Sequence, residues 1–256
     1  MPRCSANLGF LWTDRPLPAR IAVAAAAGFP AVECHFPYDH PPAEIRAALD
    51  AAGVPMVSLN TGLGANARDD FGVAARPGRS AEARALIDQA ITYAAAVGCA
   101  NVNVLAGATG RAPGCEEVFR DNVTYACTQA AAHGISILIE PLSPASAADY
   151  HCTNLDDTIA TIEAVGAPNL KVLFDCFHIE TMQGGAAGRL LGSLAHIGHI
   201  QIASVPDRAE PDHGTVDYPA LFATLDRVGY AGWVGAEYHP AGRVEDGLGW
   251  LPVRSR

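Results

Sequence analysis

Four polar side chains stand at the ends of apolar, strand-like runs, and these runs end at Glu140, Asp175, Gln201 and Glu237. A run rich in Ile and Val is typical of a buried strand. Its last residue lies at the C-terminal edge of a parallel sheet, where alternating β/α folds place their active sites. Three carboxylates and one amide that converge there would form an all-oxygen ligand set, so the pattern predicts a site for one divalent metal ion.

The types of these side chains also indicate a reaction. Three carboxylates in one site repel each other unless a cation lies between them, and oxygen donors favour Mg2+ or Mn2+ over Zn2+. Glu140 and Glu237 belong to strands three apart, so we expect them on different sides of a bound substrate. Such a pair can remove a proton from one carbon of an α-hydroxycarbonyl compound and return one to the next carbon. The metal would polarise the carbonyl and stabilise the enediolate.

Two further side chains are candidate substrate contacts. His178 follows Asp175 by three residues, in a predicted loop, and Arg208 lies in a loop beyond the predicted seventh strand. A substrate that carries a carboxylate needs a bidentate partner, which an arginine supplies. These positions therefore predict a small anionic substrate.

Another chemistry is compatible with two strand-end glutamates, because a retaining glycosidase also uses a carboxylate pair. In such an enzyme Asp175 and Gln201 would have no role, and only 7% of the residues are aromatic, the type that lines sugar clefts. The metal site is therefore favoured.

The elements that must position these side chains repeat along the chain. The predicted helices cover 16–27, 42–52, 80–97, 116–133, 154–165, 186–197 and 217–228, and a glycine ends each of them, namely Gly28, Gly53, Gly98, Gly134, Gly166, Gly198 and Gly229. The predicted strands cover 3–7, 31–35, 56–60, 101–105, 135–140, 170–175, 199–203 and 233–237. Glycine is the favoured residue just past a helix C-terminus. Eight alternating units in this length predict an α/β fold, a single (β/α)8 TIM barrel over residues 1–256. An open doubly wound sheet is disfavoured, since no G-x-G-x-x-G motif follows the first strand.

Period-two alternation in the predicted strands assigns their faces. Polar positions such as Ser5, Asn7, Glu33 and His35 alternate with apolar ones, so we expect the polar set in the barrel lumen and the apolar set against the helices. The long segment 61–79 contains no predicted element and carries three arginines, Arg68, Arg76 and Arg79. A loop of this length in a compact domain is usually functional, which predicts a lid.

Bulk composition excludes several classes of protein. The net charge of −10 argues against nucleic acid as a partner, and no apolar run approaches the roughly 20 residues of a membrane span. The seven cysteines contain no CxxC pair, which indicates reduced thiols in a cytoplasmic protein. Lys171 is the only lysine, so Schiff-base catalysis is disfavoured. A homo-oligomer remains open.

The chain resembles the hydroxypyruvate isomerase family, which belongs to the xylose-isomerase-like barrels. The matching runs are Phe36-Pro-Tyr-Asp39, Ile139-Glu-Pro141, Phe174-Asp-x-x-His178, Gly198-His-Ile-Gln-Ile-Ala203, Pro206-x-Arg208-x-Glu-Pro211 and Gly232-Trp-Val-Gly-x-Glu-Tyr238. The resemblance extends over essentially the whole chain. It implies a (β/α)8 barrel in which a divalent ion is bound by Glu140, Asp175, Gln201 and Glu237. It also implies that Glu140 and Glu237 are the acid/base pair and that His178 and Arg208 contact substrate.

The resemblance implies a metal-dependent isomerase that interconverts hydroxypyruvate and tartronate semialdehyde. Similar enzymes act on four-carbon acids, so a 2-oxo-tetronate isomerase is one alternative, and a ketose 3-epimerase of the same fold is another. In the epimerases a histidine commonly occupies the position of Gln201, so the glutamine favours the hydroxypyruvate branch. The run Asn60-Thr-Gly-Leu-Gly64 departs from the His-Asn-Leu-Pro-like run of the family, which leaves substrate choice open. Two further alternatives are a barrel that binds a metabolite without catalysis and a metal-dependent DNA-repair barrel. The acidic charge disfavours the DNA-repair barrel.

Overall fold

The chain forms a closed parallel barrel of eight strands in a computed structural model that describes residues 2–251, without the side chains of Arg68 and Asp69. The strands are β1 (Arg3–Asn7), β2 (Val32–Cys34), β3 (Met56–Asn60), β4 (Asn101–Asn103), β5 (Ser136–Ile139), β6 (Leu170–Asp175), β7 (Ile197–Ile202) and β8 (Trp233–Ala236). Each strand pairs with the next, and β8 pairs with β1. The predicted TIM barrel is confirmed.

Helices follow the strands and cover the outside of the barrel. They are α1 (Leu17–Ala26), α2 (Pro42–Ala52), α3 (Ala67–Asp70), α4 (Ser80–Val97), α5 (Cys115–Ala131), α6 (Leu155–Val165), α7 (Cys176–Gln183), α8 (Ala186–Gly192) and α9 (Tyr218–Arg227), with 3-10 turns at Leu194–His196 and Val244–Trp250. The Asn154 side chain accepts a hydrogen bond from the Asp157 N–H and caps α6. No helix in the described part of the chain is long and apolar enough to span a bilayer.

Two local expectations are wrong around β6 and β7. The predicted helix 186–197 ends early, at Gly192, and Gly198 lies inside β7. A Cβ on Gly198 would lie 2.7 Å from side-chain atoms of Leu138 and Lys171, so glycine is needed there for close strand packing and not to end a helix. The segment after Asp175, expected to be a loop, is helix α7, and the Asp175 side chain accepts a hydrogen bond from the Phe177 N–H at its start.

The alternation of polar and apolar side chains has the predicted outcome. Alternate residues of β5, such as Ile137 and Ile139, are fully buried in the apolar core. The polar lumen residues are also buried, and Glu33 on β2 reaches across the barrel to His199 on β7. The lumen is thus filled by a hydrogen-bonded polar network at the end where the site is expected.

Segment 61–79 is more ordered than a simple loop. It contains the short helix α3, and Gly72 forms an isolated β-bridge with Ala106. Asp70 is buried and is bound by the guanidinium groups of Arg76 and Arg79. These contacts hold the segment in a fixed position beside the C-terminal end of the barrel. Its function as a lid stays a prediction.

Candidate active site

The four predicted ligands converge at the C-terminal end of the barrel. Asp175 is the last residue of β6 and is in register with Gln201 of β7, while Glu140 and Glu237 directly follow β5 and β8. All four side chains are buried. Strand order and register alone therefore bring together residues that are up to 97 positions apart in the sequence.

The most compact group of potential metal donors contains a histidine. Ligand atoms of Glu140, Asp175 and His178 all lie within 4.8 Å of one another. His178 lies in the first turn of α7, not in the expected loop, so the helix holds its ring against the carboxylates. Glu237 is instead bound by neighbouring cationic and polar groups.

Arg208 lies among the carboxylates. Its Nη2 is 3.0 Å from Oε2 of Glu237 and 3.3 Å from Oδ2 of Asp175. With Glu140 nearby, three carboxylates face one guanidinium, and the formal balance is −2 when all are ionised. The site therefore has the charge that one divalent cation would neutralise.

The pKa values of the carboxyl groups reflect this imbalance. Burial and the charges of Glu237 and Asp175 hold the pKa of Glu140 well above its usual range. Burial also raises the pKa of Asp175, to about 7, although Arg208 opposes the shift. For Glu237 the cost of burial is outweighed by the hydrogen bond from His35 and the charge of Arg208, and its pKa falls to about 2. Glu237 thus has two close partners, Arg208 and His35, whereas the cationic partner of Asp175 among the described side chains is Arg208, in a longer contact, and Glu140 accepts from the neutral amide of Asn103.

His178 is held as a neutral ring. Burial and the charge of Arg208 lower its pKa to about 3. The Ser143 N–H donates to Nδ1 at 3.3 Å, which leaves the proton of the neutral ring on Nε2, 3.4 Å from Oδ2 of Asp175. His178 can therefore donate a hydrogen bond into the site.

The oxygen of Gln201 fits a metal ligand. Its Nε2 donates to Oε1 of Glu33 at 2.8 Å, whereas its Oε1 is buried and has no hydrogen-bond partner among the described residues. An unpartnered buried carbonyl oxygen beside three carboxylates matches the all-oxygen donor set that Mg2+ or Mn2+ prefers.

Several site residues were not assigned from the sequence. His35 Nε2 lies 2.5 Å from Oε1 of Glu237, and Asn7 donates to the same oxygen at 3.2 Å. Asn103 donates to Oε2 of Glu140 at 3.0 Å. The alternation pattern placed these residues in the lumen, but it contained no signal for which carboxylate each would contact.

A cavity of about 240 Å3 opens onto this cluster, and Glu140, His178, Arg208 and Glu237 line it. This volume is smaller than the roughly 300–1,000 Å3 of typical pockets for drug-sized ligands. The aromatic side chains of Phe10, Phe36 and Phe71 also line it. This volume suits a ligand with a few carbon atoms.

Comparisons with known proteins agree with this geometry. Residues 21–253 match the family described as xylose isomerase-like TIM barrel. A 2-oxo-tetronate isomerase from Cupriavidus necator is 43% identical over 98% of each chain, and a hydroxypyruvate isomerase from Escherichia coli is 35% identical over 98% of each chain. The crystal structure of a protein described as AP endonuclease, family 2, from Brucella melitensis is 38% identical and superposes with a TM-score of 0.96 over 100% of both chains. The chain therefore belongs to the xylose isomerase-like TIM-barrel family, as a hydroxypyruvate isomerase-like enzyme.

Proposed function

We propose that the protein is a metal-dependent isomerase of a small hydroxy-oxo acid, either hydroxypyruvate or a 2-oxo-tetronate. The observation that carries this proposal is the position of Arg208 inside the carboxylate cluster. Arg208 lines the cavity, and its buried Nε–H has no hydrogen-bond partner among the described residues. A guanidinium with donors to spare beside a small cavity is suited to a substrate carboxylate.

We assign the metal site to Glu140, Asp175, Gln201 and Glu237. Their donors are oxygens, and the charge balance with Arg208 favours a divalent ion such as Mg2+ or Mn2+. When bound, the ion supplies Lewis-acid polarisation of the substrate carbonyl.

Glu140 and Glu237 are the proposed acid and base. Asn103 orients the Glu140 carboxylate, while His35 and Asn7 orient that of Glu237, so each is fixed by the barrel wall. In the reaction with hydroxypyruvate, one carboxylate removes a proton from C3 and a proton is delivered to C2. The hydroxyl proton passes from the oxygen on C3 to the oxygen on C2, so the carbonyl and hydroxyl groups exchange positions. His178, with its proton on Nε2, is placed to donate to a substrate oxygen.

The relatives favour an acid substrate over a neutral sugar, because the names of both curated relatives described above refer to 2-oxo acids. The higher identity is to the 2-oxo-tetronate isomerase, which makes a four-carbon substrate the first to test. A ketose 3-epimerase would act on a neutral sugar, which has no carboxylate for Arg208 to bind. The net charge of −10 disfavours a DNA substrate, despite the description of the Brucella melitensis structure.

Deuterium uptake from D2O, followed by NMR with Mg2+ or Mn2+ present, tests the proposal. Hydroxypyruvate and 2-oxo-tetronate should exchange carbon-bound protons and isomerise, whereas free ketoses and abasic-site DNA should be unchanged. Tight binding of the acids with no exchange would indicate a metabolite-binding barrel, and turnover of ketoses alone would indicate an epimerase.

A further inference from the structure

Below the proposed metal site, the buried Glu33 carboxylate is saturated with donors. Its Oε2 accepts from Ser5 Oγ and from His199 Nε2, each at 2.7 Å. Its Oε1 accepts from Asn7 Nδ2 at 3.0 Å and from Gln201 Nε2 at 2.8 Å. Glu33 as a residue is only 1% exposed, so the protein alone provides these bonds.

The neighbouring strand leaves room for this carboxylate. A Cβ on Gly235 would lie 2.4 Å from Oε2 and 2.5 Å from Oε1 of Glu33, so any other residue there would displace the carboxylate from its present position. Gly235 is in register with Gln201 on one side and with Ser5 on the other. The barrel is therefore built to hold a carboxylate in this layer of the lumen.

A side-chain amide can present either its oxygen or its NH2 group to the site, because the terminal torsion is roughly two-fold. The carboxylates of the site would attract the NH2 group of Gln201, and an NH2 group cannot bind a cation. An ionised Glu33 carboxylate can accept hydrogen bonds but cannot donate them, so it takes the NH2 group and leaves Oε1 of Gln201 free, as observed.

We propose that Glu33 is a positioning residue that fixes the amide of Gln201 so that its oxygen faces the cation. This inference rests on the proposed metal site. Groups that orient metal ligands typically change metal affinity by about 10- to 100-fold when they are mutated.

Mn2+ binding, measured by calorimetry on metal-stripped protein, tests the inference in a double-mutant cycle of E33Q and Q201E. In the wild-type background E33Q should weaken binding by about tenfold, because the new amide competes with its own NH2 group for the oxygen of Gln201. In the Q201E background the two carboxylates would repel each other, so E33Q should leave binding unchanged or tighten it. The interaction between the two substitutions is the diagnostic quantity.

Two more variants support the cycle. E33L has no acceptor and should weaken binding more than E33Q; if E33L does not fold, E33Q still decides. S5A removes a donor to the other oxygen of Glu33 and should bind Mn2+ like the wild type. Thermal melting without metal checks the fold of each variant.

The outcomes separate the two proposals. If the wild type binds no divalent ion, the proposed metal site and the proposed role of Glu33 are both contradicted. If the wild type binds Mn2+ but E33Q has no effect, or weakens binding equally in both backgrounds, Glu33 only supports lumen packing and this inference alone is overturned.

Discussion

Two acidic clusters in this barrel are built from the same chemical groups, carboxylates and guanidiniums, but differ in their balance of charge. The first cluster lies beside the mouth of the barrel, which is the C-terminal end of the strands. There Asp70 accepts hydrogen bonds from Arg79 Nη1 at 2.6 Å and Nη2 at 2.8 Å and also forms an ion pair with Arg76. Glu82 forms an ion pair with Arg79 at 2.8 Å. Among the side chains that the structure describes, two carboxylates thus face two guanidiniums. At the mouth itself, three carboxylates face one described guanidinium, that of Arg208.

The pKa values follow the difference in charge balance. The hydrogen bonds from Arg79 lower the pKa of Asp70, whereas burial raises those of Glu140 and Asp175. A matched cluster, in which carboxylates and guanidiniums are equal in number, needs no ligand to balance its charge. It stabilises the segment that contains it. An unmatched buried cluster costs stability and is typical of a site that binds a ligand, which supports our proposal that the mouth is the functional site.

Removing the metal should give the largest loss of activity if the mouth cluster needs a cation. We expect chelation to reduce isomerase activity to background and Mg2+ or Mn2+ to restore it. The ion should also raise the melting temperature, since 100-fold excess over Kd stabilises a protein by about 2.7 kcal/mol. Full turnover by enzyme shown to be metal-free by elemental analysis would contradict the ligand assignment.

Substituting either proposed acid/base residue should give the second-largest loss of activity. E140Q and E237Q keep the shape of the side chain and one ligand oxygen, yet each should lower turnover by at least about 10²–10⁴-fold. Saturating metal should not rescue the rate, and one variant should retain solvent exchange at a single carbon. Glu117 lies exposed on α5, and E117Q is the matched control. Near wild-type turnover in excess metal would reduce both glutamates to simple ligands.

Removing Arg208 should separate substrate binding from metal binding. R208A deletes a charge-assisted contact that contributes about 1.5–3 kcal/mol, so the Michaelis constant for a 2-oxo acid should rise by roughly one to two decades. Metal affinity should be unchanged or tighter, because the mouth becomes more negative. R227A, at an exposed arginine of α9, is the control. An unchanged Michaelis constant and turnover would show that Arg208 does not bind substrate.

The matched cluster around Asp70 should affect the free energy of unfolding more than the turnover of substrate. D70N should lower the free energy of unfolding at neutral pH by about 2 kcal/mol, the scale of a hydrogen bond to a charged group. The folded-state pKa of Asp70 is lowered, so its contribution is present above the unfolded value of about 3.9 and is lost as pH falls through the folded value. Urea unfolding of D70N and wild type should therefore converge in acid. A constant difference at all pH values would contradict an ionic role.

Much of the fold was predictable because it depends on local patterns. Glycines such as Gly53, Gly98 and Gly166 adopt the left-handed conformation at helix ends, where sequence alone placed them. The segment after Asp175 was missed, although an aspartate before a helix is a capping signal, because the strand and α7 adjoin without a turn. The helix ending before Gly198 was wrong because glycine was assigned a conformational role where the sheet needs a close approach.

Local sequence patterns were sufficient to predict the barrel, the lumen-facing residues and the positions of Glu140, Asp175, Gln201 and Glu237 near strand ends, since a period of two and a strand terminus are properties of consecutive residues. The contacts between lumen side chains could not be predicted in this way. Closure and stagger of the barrel bring Glu33 to Gln201 across 168 positions and place Arg208 between Asp175 and Glu237. Those pairings depend on how the strands are aligned around the ring, and no local pattern encodes that alignment.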